Sequence, residues 1–161
     1  MTGLPAQPAV QTAIAPAIPA AAPVSALAPA LVPAHVRTFL AFDFGLKRVG
    51  VASGNRLLLR AAPQSTIAAV GAARWAQVAQ RIGQWQPDAL VIGVPLHPDG
   101  ASHENTALAL RFGRQLRGRF GLPVFEVDER YSTTEAIAGG AKDADAAAAC
   151  IILEQFLRSL E

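Results

Sequence analysis

From Thr38 onward, short apolar runs alternate with longer stretches of helical spacing. Thr38-Phe39-Leu40-Ala41-Phe42-Asp43-Phe44 is almost wholly apolar and predicts a central strand. Gly45-Leu46-Lys47-Arg48 reads as a turn into a second strand beginning Val49-Gly50-Val51-Ala52-Ser53, and Gly54-Asn55-Arg56 as a turn into a third at Leu57-Leu58-Leu59. Ser65 or Thr66 is placed to cap a helix carrying Val70, Arg74, Val78, Ile82 and Trp85, closed by Pro87. Ala89-Leu90-Val91-Ile92-Gly93-Val94 has the composition of a strand buried on both faces.

A second helix, beginning near Ser102, puts Leu108, Phe112, Leu116 and Phe120 on one stripe and breaks at Gly121-Leu122-Pro123. Val124-Phe125-Glu126-Val127 follows as a fifth strand. Ser132-Thr133-Thr134-Glu135 fits a capping box for a short helix ending at Gly139-Gly140, and a last helix runs from about Asp143 to Leu160. The expected order is βββ-α-β-α-β-α-α, an α/β fold with a five-stranded mixed sheet: three antiparallel strands, then parallel ones, flanked by helices.

Composition divides the 161 residues in two. Residues 1–36 hold no Asp, Glu, Lys or Arg, and seven of the chain's 12 prolines. Repeated proline blocks helix, and alanine offers too little apolar surface to offset the entropy of ordering, so a disordered Ala/Pro-rich tail is expected there. It lacks the basic start and unbroken apolar core of a signal peptide, and no run spans a bilayer. Residues 37–161 form the expected domain and carry all 14 basic and 12 acidic residues. A net charge of +2 neither demands nor excludes a nucleic-acid partner. The single cysteine, Cys150, cannot form an internal disulfide and fits the cytoplasm; inside the last helix it reads as a buried, inert thiol.

Three carboxylates stand out. Asp43 ends a strand of large apolar residues, where an unpartnered charge costs several kcal/mol, so it needs a metal, a cation or backbone donors; capping the Gly45 turn is the plainer alternative. Counting back from Phe156 through Ile152 and Ala149 reaches Asp145, on the core-facing stripe of the last helix, although a first-turn acid is also favoured by the helix dipole. Glu129, in Asp128-Glu129-Arg130, directly follows the fifth strand, where α/β sheets gather their sites; taken alone, the triplet reads more simply as a solvated charge cluster. Carboxylates so placed suit Mg²⁺ or Mn²⁺, hard cations that prefer oxygen ligands. A pair of them about 3.5–4 Å apart clamps the attacking and leaving oxygens of a phosphodiester.

Phe42-Asp43-Phe44-Gly45 with Lys47 and Val49-Gly50-Val51-Ala52 resembles the opening of the YqgF/RuvX family. So do Gly93-Val94-Pro95-Leu96 with Asp99-Gly100, Asp128-Glu129-Arg130-Tyr131-Ser132-Thr133 with Glu135, and Asp145 ahead of Ile151-Ile152-Leu153-Glu154. The four motifs stand in the family's order over residues 38–158. The resemblance implies an RNase H-like fold related to Holliday-junction resolvases, and nuclease processing of the 5′ end of pre-16S rRNA. It also implies a catalytic, metal-holding triad of Asp43, Glu129 and Asp145. One departure is visible. The family usually has a longer basic loop before the last helix, whereas here only Ala136 to Ala144 separate Glu135 from Asp145, with Lys142 the sole cation.

Lys47, Arg48, Arg130 and Arg114 are the expected nucleic-acid contacts, since cations near such a site position the phosphate backbone. Arg111, Arg114, Arg117 and Arg119 could equally form a solvated helix face, and His97 a solvated turn. Three readings follow: a pre-rRNA nuclease, a junction resolvase acting as a homodimer on branched DNA, and a nucleic-acid-binding module without turnover. Asp43-Phe44-Gly45 also resembles the phosphate hairpin of actin-like kinases, but those proteins close two such domains on ATP and this chain has room for one.

Overall fold

The computed structural model describes Gly3 and residues 32–97, 99, 101, 104–128 and 143–160. Five strands, β1 (Thr38–Phe44), β2 (Val49–Asn55), β3 (Arg60–Ile67), β4 (Ala89–Val94) and β5 (Val124–Asp128), form one sheet in the order β3-β2-β1-β4-β5. β1 and β2 pair antiparallel, as do β2 and β3; β4 runs parallel to β1 and to β5. The helices are α1 (Gly71–Trp85), α2 (Thr106–Phe120) and α3 (Ala144–Arg158).

Period-two alternation along β1 sorts its side chains between two cores. Phe39 and Ala41 join Ala52, Val91 and Phe125 beneath Ile152, Leu153 and Phe156 of α3. Leu40 and Phe42 join Val51, Leu90, Ile92 and Val124 against Val78 of α1 and Phe112 and Leu116 of α2. β4, covered on both faces, is buried throughout, as its unbroken apolar run predicts. The packed chain starts ahead of the expected boundary at Arg37, because Val32 and Val36 are buried in the α3-side core. The rest of the expected Ala/Pro tail, Gly3 apart, lies outside the described residues.

Three expected elements start later than expected. Leu57-Leu58-Leu59 is a turn, with Leu57 90% exposed and Leu59 at φ 54°, and the third strand runs from Arg60 to Ile67 instead. β3 is a sheet edge with one face largely in solvent, so Ala, Pro, Gln and Ser suffice, and Pro63 is tolerated because an edge spares its missing donor. Ser65 and Thr66 therefore belong to β3, and α1 starts after Val70 with no side-chain cap. α2 begins at Thr106, where the threonine hydroxyl donates to the carbonyl of Pro95. The helix expected from Ser132 lies outside the described residues.

Candidate active site

Asp43 is the sixth residue of β1, two beyond Ala41, so the pleat turns it to the side covered by α3. It is half-buried, and its cross-strand partner is Gly50 of β2. Gly50 is also where the last helix arrives. A Cβ on Gly50 would overlap the carbonyl of Asp145, and one on Gly54 would lie 2.9 Å from the Leu153 side chain. Gly50, Ala52 and Gly54 thus make a low row along which α3 lies almost on the β2 backbone. Alternation along Val-Gly-Val-Ala-Ser-Gly puts Gly50, Ala52 and Gly54 on one face and Val49, Val51 and Ser53 on the other. Directly opposed residues of an antiparallel pair share a face, so the Asp43 side chain lies on the side of the sheet that the first turn of α3 approaches at Gly50.

The start of α3 is pinned. Asp143 caps it, its Oδ1 accepting the Ala146 N–H at 3.1 Å. The Thr66 hydroxyl, at the end of β3, donates to the same carboxylate at 2.7 Å. Burial works to raise the Asp143 carboxyl, but the Thr66 hydroxyl and the backbone donors outweigh it and hold it below its usual range. Asp145 follows in the first helical turn. Its Oδ2 lies 3.2 Å from Arg48 Nε, in a pair 64% exposed on the arginine side and 36% on the aspartate side. Such exposed pairs contribute about 0.2–1 kcal/mol, little enough for a competing cation to displace.

The expected residues therefore divide into three groups. Asp43, Asp145 and Arg48 gather around Gly50, and exposed Lys47 stands next to Arg48 in the same turn. Arg114 lies on α2, across the sheet from α3; with Arg117 it acts on Glu126, whose carboxyl burial raises and the two arginines partly lower. Glu129 and Arg130 lie outside the described residues, and with them the third carboxylate of the triad. Among the described residues no group of three or more His, Cys, Asp or Glu gathers to hold a metal. His97 is exposed, its backbone N–H donating to Ala101 in the loop after β4. Asp43 and Asp145 supply hard oxygen donors from two rigid elements, a set that fits Mg²⁺ or Mn²⁺.

From the sequence Gly50 is one residue of a strand motif with no packing role, and Thr66 is a candidate cap for the first helix. Positional pairing across the sheet carried the signal for Gly50; nothing local marked Thr66 as a partner of Asp143, 77 residues away.

A mixed sheet in the order β3-β2-β1-β4-β5, with acids at the end of its central strand and the head of its last helix, defines an RNase H-like fold of the RuvC type. The solved T. thermophilus RuvC in complex with a Holliday junction substrate shares it at a TM-score of 0.50 and 16% identity, over 77% of this chain and 95% of that one. The chain belongs to the RuvX family, whose model, described as "Holliday junction resolvase", matches residues 37–159. It is 73% identical over 125 residues to a "Putative pre-16S rRNA nuclease" of Polaromonas sp. (strain JS666), covering 78% of this chain and 91% of that protein. A protein of the same description from Albidiferax ferrireducens is 70% identical over 126 residues, covering 78% and 81%.

Proposed function

We propose that this chain is a divalent-metal-dependent nuclease that cleaves a phosphodiester at the 5′ end of pre-16S rRNA, in the cytoplasm. The observation that carries this reading is the convergence of Asp43 and Asp145 on Gly50, at the rim of the sheet and within reach of solvent. The substrate comes from the relatives' description, held by proteins at least 70% identical over most of the chain.

In this reading Asp43, Asp145 and Glu129 hold the Mg²⁺ or Mn²⁺. Bound metal supplies Lewis acidity toward the phosphate and a water activated near neutral pH. The chain's own residues do the rest. β1 and the start of α3 fix their carboxylates by packing, so little reorganisation is needed as charge develops. Lys47 and Arg48 receive the phosphate backbone, and Arg48 leaves an inexpensive pair with Asp145 to do so. Arg130 completes that cationic set, and Arg114 contacts a more distant part of the nucleic acid. These groups position substrate without reading sequence, which leaves a second reading, resolution of a four-way DNA junction by a homodimer, favoured by the fold shared with RuvC.

The test sets precursor 16S rRNA and a four-way junction side by side, with the full chain in Mn²⁺, Mg²⁺ or EDTA at fixed salt. Cleavage of the RNA alone is expected, absent in EDTA and reduced at least about a hundredfold in Asp43→Asn and Asp145→Asn, since losing a metal's charge stabilisation costs several kcal/mol. Cleavage that persists in Asp43→Asn would remove Asp43 from the site. Binding without cleavage by the wild type would favour the non-catalytic module.

A further inference from the structure

Arg74 stands where a cation is least welcome. It lies in the opening turn of α1, the end of a helix whose dipole disfavours positive charge, and only 7% of it is exposed. Burial lowers its pKa. The compensation comes from two separate pieces of backbone and one ring. Nε donates to the Ala69 carbonyl at 2.7 Å, and a terminal nitrogen donates to the Leu46 carbonyl at 3.0 Å. The guanidinium sits 5.4 Å from the centre of the Phe44 ring.

Two of those three partners belong to one short stretch. Phe44 ends β1, next to Asp43; Leu46 lies in the turn that carries Lys47 and Arg48. That turn is an exposed hairpin tip, with Leu46 63% exposed. Its geometry is nevertheless tight, since a Cβ on Gly45 would lie 2.6 Å from the Arg48 carbonyl oxygen. The planar fork of arginine can grip carbonyls on two segments at once; the point charge of lysine cannot do so with the same geometry.

We infer that Arg74 is a positioning residue: from behind, it holds the Gly45–Arg48 turn so that Arg48 meets Asp145 and, with Lys47, presents a fixed pair of cations to substrate phosphate. The last clause rests on the nuclease reading; the clamp on the turn does not. The path runs from Arg74 through the Leu46 carbonyl to Arg48, and from Arg48 to Asp145 at 3.2 Å.

Two measurements on the full chain test it, with Arg74→Met, Arg74→Lys, Arg48→Gln and the double variant Arg74→Met/Arg48→Gln. The first is amide hydrogen exchange. Arg74→Met should speed exchange about tenfold in peptides covering residues 45–50 and leave those of β4 and α3 unchanged, because only local opening becomes easier. Arg74→Lys should fall between Arg74→Met and wild type. The second is affinity for a labelled fragment of precursor 16S rRNA in EDTA. Arg74→Met should lose several-fold, and the double variant should lose clearly less than the two single losses multiplied together, as expected when one residue acts largely through another.

Additive losses, or faster exchange spread evenly over the whole chain, would overturn the proposal and leave Arg74 a general packing residue. If Arg74→Met does not fold, Arg74→Lys decides by the same two criteria. If wild type binds no RNA either in EDTA or with Mg²⁺ present, the nuclease reading fails, while exchange at residues 45–50 still decides whether Arg74 holds the turn.

Discussion

The carbonyl of Asp145 rests on the bare α-carbon of Gly50, the residue paired across the sheet with Asp43. That single contact joins the end of the central strand to the head of the last helix. Through it, two acidic residues 102 positions apart in the chain are tied to the same glycine, Asp43 by strand register and Asp145 by its backbone carbonyl.

Gly50→Ala should therefore be a costly substitution. A methyl group there meets main chain, which cannot rotate away, so α3 must lift at its start or β2 must bend. Overpacking of this kind costs about 1–3 kcal/mol. Urea denaturation should show that loss, and the cleavage assay should show a larger fractional fall than the population of folded protein explains. A variant as stable and active as wild type would mean that α3 docks elsewhere.

Arg48→Gln should leave stability within about 1 kcal/mol of wild type, since the pair it breaks is exposed. Its effect should appear in nucleic-acid binding instead. The slope of log affinity against log salt should fall by about one if Arg48 meets a phosphate. An unchanged slope would confine Arg48 to its pair with Asp145.

The α3 cap makes stability pH-dependent at the acid end. Asp143 has its carboxyl held below the usual 3.8 by the Thr66 hydroxyl and backbone donors, against the opposing effect of burial. A group with a depressed folded-state pKa contributes stability that is fully present above its unfolded value and is lost as pH falls through the folded one. Asp143→Asn should flatten this limb of the stability curve below about pH 4, keeping a capping side chain in place. Thr66→Val should flatten it partly and lower stability by about 1 kcal/mol, the usual worth of one hydrogen bond. Chemical denaturation across pH 2–7 tests both; an acid limb of unchanged shape in Asp143→Asn would remove Asp143 from the linkage.

Cys150 should be a poor nucleophile. Burial, reinforced by the nearby Glu154 carboxylate, pushes its thiol up to about 11. The thiolate is the reactive species, so alkylation by iodoacetamide should be slow at neutral pH and climb with pH until about 11. A rate that levels off near pH 8.5, the value of a free thiol, would place Cys150 in solvent.

Much of the scaffold was legible from apolar spacing. β1, β4 and the middle of the expected stripes (Phe112 and Leu116 in α2; Ala149, Ile152 and Phe156 in α3) fell where the periodicity put them, while Leu108, Phe120 and Asp145 at the stripe ends are half-buried. The third strand was not legible. Leu57-Leu58-Leu59 has the composition of a strand yet lies in a turn, while Ala61-Ala62-Pro63-Gln64 looks like a loop yet pairs with β2. An edge strand with one wet face needs little apolar character, and its backbone bonds come from a neighbour that local sequence does not identify.

The amino-acid order by itself marked Asp43 and Asp145 as candidates for core-facing positions, since period within one element is local; in the fold both are half-buried. It also carried the family motifs that mark Glu129. Only the folded chain decided that Gly50 stands opposite Asp43 and under the Asp145 carbonyl, that Arg48 pairs with Asp145, and that Thr66 and Arg74 brace the start of α3 and the turn after β1. Those contacts depend on which strand lies beside which and how closely a helix approaches the sheet, and packing between distant elements settles both.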